Sequence, residues 1–226
     1  MPATTTGAMK IANSLRAVAC APRVLALAML IGGCTALQPA PVESPNLHLL
    51  EASVVARTAP EKRDLVVEVG TPRAWPGFDT PRMAYVQRSH ELDYFANNRW
   101  ADTPARMLGP LLARALEQTG SFRAVVQPPT VVPVDLRIQS ELIRLQQNFA
   151  MKPSRVELSL RIQLVDVRGK RVLGTRTFEE TETAPTDDPH GGVTAANAAL
   201  ERVLGQVVDF CIAESGRRTL PVVSPP

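Results

Sequence analysis

The chain has 226 residues, with 25 basic and 22 acidic side chains and three cysteines, enough for one domain of comfortable size with an ordinary core. Three of the basic residues and no acidic one precede Cys34, so without that leader the chain balances at 22 against 22. The formal charge of +3 is therefore no argument for nucleic acid, which wants a clustered basic face, and none is visible.

The leader reads from its own parts. Lys10, Arg16 and Arg23 form a positive region, and residues 24–31 (VLALAMLI) form a short apolar one. A membrane span needs about 20 apolar residues, so this is a secretory signal over residues 1–33. Ile31-Gly32-Gly33-Cys34 resembles a bacterial lipobox, in which the cysteine is diacylated and becomes the new N-terminus. Cys20 leaves with the leader and Cys34 carries lipid. Only Cys211 then remains, no intrachain disulfide is possible, and its helical apolar setting makes it a small buried hydrophobe. Residues 34–46 hold Pro39, Pro41 and Pro45 without apolar periodicity and read as a semi-rigid tether.

The domain is expected over 47–214, with short strands at 48–50 and 64–69. After a Pro/Gly-rich stretch at 71–81, residues 83–87 and 91–95 pair as a hairpin around Arg88-Ser89-His90. Thr103 is placed to cap a helix, Pro104 to start it and Gly120 to end it. Met107, Leu108, Leu111, Leu112, Ala115 and Leu116 share one face of that helix, and the interior Pro110 predicts a kink or late start. A strand at 122–126 completes a candidate βαβ unit, which makes it parallel to 65–69.

Three long strands follow. Val134, Leu136 and Ile138 alternate with polar residues, as do Val156, Leu158, Leu160, Ile162 and Leu164, so one sheet face is buried and the other is wet. Arg168-Gly169-Lys170 turns into a third strand at 171–179. Val193, Ala196, Leu200, Val203, Leu204, Val207 and Cys211 form the stripe of a closing helix at about 192–214, and 215–226 is a disordered tail. The predicted fold class is a single layered α/β domain with a mixed, mainly antiparallel sheet and two main helices.

Chemistry-bearing patterns are sparse. There is no Gly-rich phosphate loop and no G-x-S-x-G elbow. Ser89-His90-Glu91 holds the residue types of a hydrolytic triad, but neighbours in sequence point different ways, so it reads as a polar hairpin tip. Glu179, Glu180, Glu182, Asp187, Asp188 and His190 are metal-capable, yet they read as a solvated acidic loop with Asp187 or Asp188 at a helix N-terminus. No metal or other cofactor is implied. The remaining feature is aromatic: Trp75, Phe78, Tyr85, Tyr94, Phe95 and Trp100 are six of the ten aromatic residues. They form either a satellite core or a surface contacting a partner or lipid. The compromise expected is that Tyr94 and Trp100 pack while Trp75 and Phe78 reach a partner.

Residues 85–100 (YVQRSHELDYFANNRW), Ala101-Asp102-Thr103-Pro104, the helix ending in Thr119-Gly120-Ser121-Phe122, the meander over 155–178 and the alanine-rich stretch at 195–200 together resemble the ABC-type transport auxiliary lipoproteins. That is the family of the paraquat-inducible operon lipoprotein (PqiC-type). The resemblance implies an anticodon-binding-like fold, as in the TolB amino-terminal domain. It also implies a non-enzymatic periplasmic lipoprotein serving an ABC transporter and an MCE-type substrate-binding protein in lipid transport. The membrane is its partner through the diacylglyceryl and palmitoyl groups on Cys34, a homo-oligomer is possible, and Thr35 after that cysteine favours the outer membrane. Two alternatives stand beside it: a carrier binding lipid in an apolar groove beneath residues 71–100, and a structural envelope lipoprotein without cargo.

Overall fold

The computed structural model describes residues 44–53 and 62–217; the leader, Cys34, the tether up to residue 43 and the last nine residues lie outside them. Eleven elements follow in order: β1 (Asn46–His48), β2 (Arg63–Val69), β3 (Arg73–Ala74), β4 (Arg82–Val86), β5 (Asp93–Trp100), α1 (Pro104–Gln118), β6 (Phe122–Val126), β7 (Leu136–Asn148), β8 (Arg155–Asp166), β9 (Arg171–Thr183) and α2 (Pro189–Gly216).

The sheet is organised around β7. Along one edge β7 pairs antiparallel with β8 over its full length, and β8 pairs the same way with β9. Its other edge is shared in succession by β2, β3 and β4, all parallel to it. Strand β6 lies parallel outside β2, as the βαβ reading expected, while β5 and then β1 extend the sheet beyond β4. The sheet is thus mixed, with long antiparallel ladders and short parallel ones.

Strand β7 needs an irregularity to work. Leu136, Ile138 and Leu142 are buried, and so are Leu145 and Gln147, a set out of phase by one residue. The register shifts between Leu142 and Arg144, and that bulge at Ile143 returns the second set to the buried face.

Both helices pack into one hydrophobic cluster with the sheet. Thr103 caps α1 with extended backbone but lends no side-chain hydrogen bond; its own N–H donates to Asp102 Oδ1 at 2.7 Å. Gly120 adopts φ +64°, and its N–H closes the helix on the Glu117 carbonyl at 3.0 Å. The expected late start is absent, since α1 runs unbroken from Pro104 through Pro110. Pro110 sits on the exposed face, where water can satisfy the Arg106 carbonyl that lacks its usual donor.

Helix α2 starts at Pro189 with Asp188 as N-cap, its Oδ1 accepting from the Gly191 N–H at 2.8 Å. Gly191, Gly192, Ala195, Ala196 and Ala199 are all buried, and these small residues keep the first half of the helix close to the sheet. Leu200, Val203, Leu204, Val207 and Cys211 continue the stripe, fully buried. The helix runs two residues into the expected tail: Ser215 is buried, and the Arg63 guanidinium donates to its hydroxyl and to the Ile212 carbonyl. No helix among the described residues is long and apolar enough to cross a membrane.

Candidate functional site

The aromatic segment divides in the structure. Trp100 joins the main core, with its N–H on the Pro81 carbonyl at 2.7 Å. Tyr85 and Phe95 lie 4.7 Å apart between ring centres, and Phe149 meets both edge-on at 5.9 and 6.2 Å. Sequence reasoning missed Phe149. Its N–H bonds the Val86 carbonyl at 2.8 Å, so knowing that β7 pairs with β4 would have found it.

The turn after β3 takes another group. Trp75 accepts from the N–H groups of Phe78 and Asp79 at 2.8 and 3.0 Å. The Tyr94 hydroxyl donates to the Gly77 carbonyl at 2.9 Å, and the Arg82 guanidinium lies 4.0 Å above the Tyr94 ring. Phe78 and Tyr94 are half-buried, whereas Trp75 is 50 % exposed. Trp75 is thus the member of the set with the most surface to offer.

Beneath this segment, on the sheet face away from the helices, lies a cleft of about 410 Å³. Its apolar wall is Phe78, Val86 and Leu92, and its floor is Arg144, Gln146, Asn148 and Glu157. The charges are internally matched. Glu157 accepts from Gln146 at 3.0 Å and Asn148 at 2.8 Å and pairs with Arg144 at 3.5 Å, while Arg88 and Glu91 pair at 3.1 Å at the rim. The apolar groove anticipated for a lipid carrier has the right volume here but a charged floor. A second space of about 190 Å³ on the same face is bordered by Arg73, Gln139, Ser140, Glu141, Arg161 and Gln163, again polar. Under the helices, the space beside Met83, Trp100, Leu145 and Ala196 is only about 10 Å³, the size of one water.

The triad-like residues do not converge. Ser89, His90 and Glu91 are exposed, His90 has φ +66°, and Glu91 is bound to Arg88. The acidic stretch is likewise explained by structure, and its first half is strand rather than loop. Glu180 and Glu182 hold Arg202 of α2, raising its pKa chiefly through the Glu182 hydrogen bond. Asp187 accepts from the Ser154 N–H at 2.6 Å, and this bond holds its carboxyl below the ordinary value. Asp188 is lowered in the same way by the Gly191 N–H and then by the Thr186 hydroxyl. Among the described residues no group of three or more His, Cys, Asp or Glu is arranged to hold a metal. Burial, with Glu214 adding to it, pushes the Cys211 thiol up to about 12, so it stays protonated and unreactive.

Among the described residues the larger clefts lie on the polar face of the sheet and the space under the helices beside Trp100 is small. Residues 48–208 match the ABC-type transport auxiliary lipoprotein component family, and the chain belongs to it. The protein is therefore of a class that serves as an auxiliary component of ABC-type transport. A crystallised Xanthomonas campestris protein of the DUF330 family superposes with a TM-score of 0.71 at 20 % identity, covering 77 % of this chain and 99 % of that one. A second crystal structure, of an uncharacterized protein, gives 0.59 at 12 % identity over 74 % of this chain and 99 % of the other. No curated protein matches the sequence.

Proposed function

We propose that the protein is a non-enzymatic accessory subunit of an ABC transport system with an MCE-type substrate-binding protein, moving lipids or other hydrophobic molecules across the envelope. Cys34 carries its lipid anchor, the outer membrane holds that anchor, and the domain faces the periplasm. The domain docks on the periplasmic end of the assembly, alone or as a homo-oligomer. Trp75 and the cleft beside Phe78 supply the contact surface, with Tyr85, Phe95, Tyr94 and Trp100 as its support.

The observation that carries this reading is family membership over 48–208, supported by a space under the helices beside Trp100 of only about 10 Å³ among the described residues. An acyl chain needs an apolar cavity of several hundred Å³, whereas the 410 Å³ cleft offers an ion-paired floor. Native mass spectrometry of residues 35–226 tests it by reading bound lipid and oligomeric mass together. A lipid-free species that captures the transport partners is the expected result. Lipid at near-stoichiometric occupancy would replace the docking reading with a carrier. A gene neighbourhood without transporter components would favour a structural envelope lipoprotein.

A further inference from the structure

At the β1 edge the polar face of the sheet changes character. Register sets Arg82 of β4 directly across from Arg99 of β5, and Arg99 directly across from Leu47 of β1. Directly paired residues project from the same side of a sheet, so two guanidinium groups and a leucine form one exposed row. Leu47 is 66 % exposed, and Leu49, two residues on, is 54 % exposed.

Like charges placed opposite each other repel, and this pair has no internal remedy. Among the described residues neither arginine has a carboxylate within ion-pairing distance; Arg82 lies over the Tyr94 ring instead. Asp93, the one acid in the three strands, is paired with Tyr85, beyond a register shift from the Arg82–Arg99 pair. Asp102 is taken by Arg106 at 3.3 Å. Elsewhere on the edge, Asn98 accepts from Asn46 at 3.5 Å and meets the His48 ring nitrogen at 2.9 Å.

We infer that this row is a membrane-docking face, in which Arg82 and Arg99 take the phosphates of anionic lipid headgroups and Leu47 and Leu49 enter the acyl boundary. Charge complementarity requires a negative partner, and the exposed leucines require one with an apolar layer behind the charge. Location selects the lipid surface: Leu47 follows Cys34 by 13 residues, at most about 45 Å of extended chain. The inference deepens the anchored-subunit reading and rests on it in one respect. An anchor that close supplies an effective concentration in the millimolar range, at which a two-arginine patch suffices.

The test uses residues 44–226, since among the described residues the core cluster and the side chains packed on it run from Leu50 to Ile212. Co-flotation is measured at low salt and millimolar accessible lipid, which replaces the concentration the anchor would supply, with phosphatidylcholine vesicles and with vesicles containing equimolar phosphatidylglycerol. Binding is expected to follow the phosphatidylglycerol fraction and to fall with salt. Arg99→Ser should lower the partition coefficient about fivefold and Arg82→Ser with Arg99→Ser about 25-fold, and Leu47→Ser with Leu49→Ser should lower it further. Arg99 has no side-chain ion pair or hydrogen bond among the described residues and faces a like charge, so its variant keeps or slightly raises the wild-type Tm. Equal binding to the two vesicle types, equal partitioning of Arg99→Ser and wild type, or no binding to either vesicle would overturn the inference. The assay contains no anchor, so such a failure is separate from that of the anchored reading, which Cys34→Ser tests in the full chain by release from the membrane fraction.

Discussion

The two faces of the sheet follow opposite rules. On the helix side, Leu136, Ile138, Leu142, Leu160, Ile162 and Leu164 are fully buried against Leu108, Leu112, Leu200 and Leu204, with about 10 Å³ of free space at the Trp100 end. On the other side, Arg137 pairs with Glu68 and Arg144 with Glu157, Gln163 bonds Thr175, and clefts of about 410 and 190 Å³ remain. Burial of apolar area drives folding, so the first face carries the stability. The second is held by hydrogen bonds and by ion pairs with half-exposed arginines, their carboxylates Glu68 buried and Glu157 partly so, and it leaves polar side chains at the surface. Under the docking reading proposed above, stability and contact are divided between two sides of a single layer.

Mutation should separate the two. Leu204→Ala removes a fully buried side chain between α2 and the sheet and should cost about 2–5 kcal/mol, read as a lower urea midpoint. Gly191→Ala comes next. A Cβ there would drive into the Thr186 carbonyl, and overpacking of this kind costs about 1–3 kcal/mol; thermal unfolding should show it. Arg161→Ala on the polar face should fall within about 0.5 kcal/mol of wild type in the same measurement. A large loss there would break the division.

Titration sharpens the comparison at the start of α2. Asp187 and Asp188 have lowered pKa values in the folded chain. Their contribution is therefore complete above the unfolded carboxylate value near 4 and is lost as pH falls through the folded values. The urea midpoint should decline below pH 4, and Asp188→Asn should flatten that decline while keeping a capping oxygen. The smallest effect is expected at Cys211. A maleimide reagent should leave it unlabelled in the native domain and label it in denaturant, because the thiol is buried with a pKa of about 12.

Much of this arrangement was legible in the chain itself. Alternation along 156–164 gave a half-buried strand, and Thr103-Pro104 with Gly120 bounded α1 correctly. These signals survive because they are local: a strand repeats every two residues, and a helix end needs its own capping chemistry. The late start expected at Pro110 failed for the converse reason, since the cost of a proline depends on whether the orphaned carbonyl meets water, and that is a matter of which helix face is exposed. Helix α2 likewise reached Ser215 because Arg63, 152 residues away in sequence, bonds its last turn.

Within the aromatic segment, composition identified Trp75, Phe78, Tyr85, Tyr94, Phe95 and Trp100 as a set but could not sort them. Their fates depend on which strands lie beside β4 and β5, and those partners are β7 and β1, far off in the chain. The same pairing set Arg99 between Arg82 and Leu47 and laid a charged floor under the 71–100 segment. The sequence by itself determined the long elements, the buried stripe of each helix and the family, because periodicity, caps and motif order are written within short windows; the two-residue β3 and the bounds of β1 were not among them. The tertiary structure alone decided which side chains share a face, because register between distant strands is set by the packing of the whole sheet.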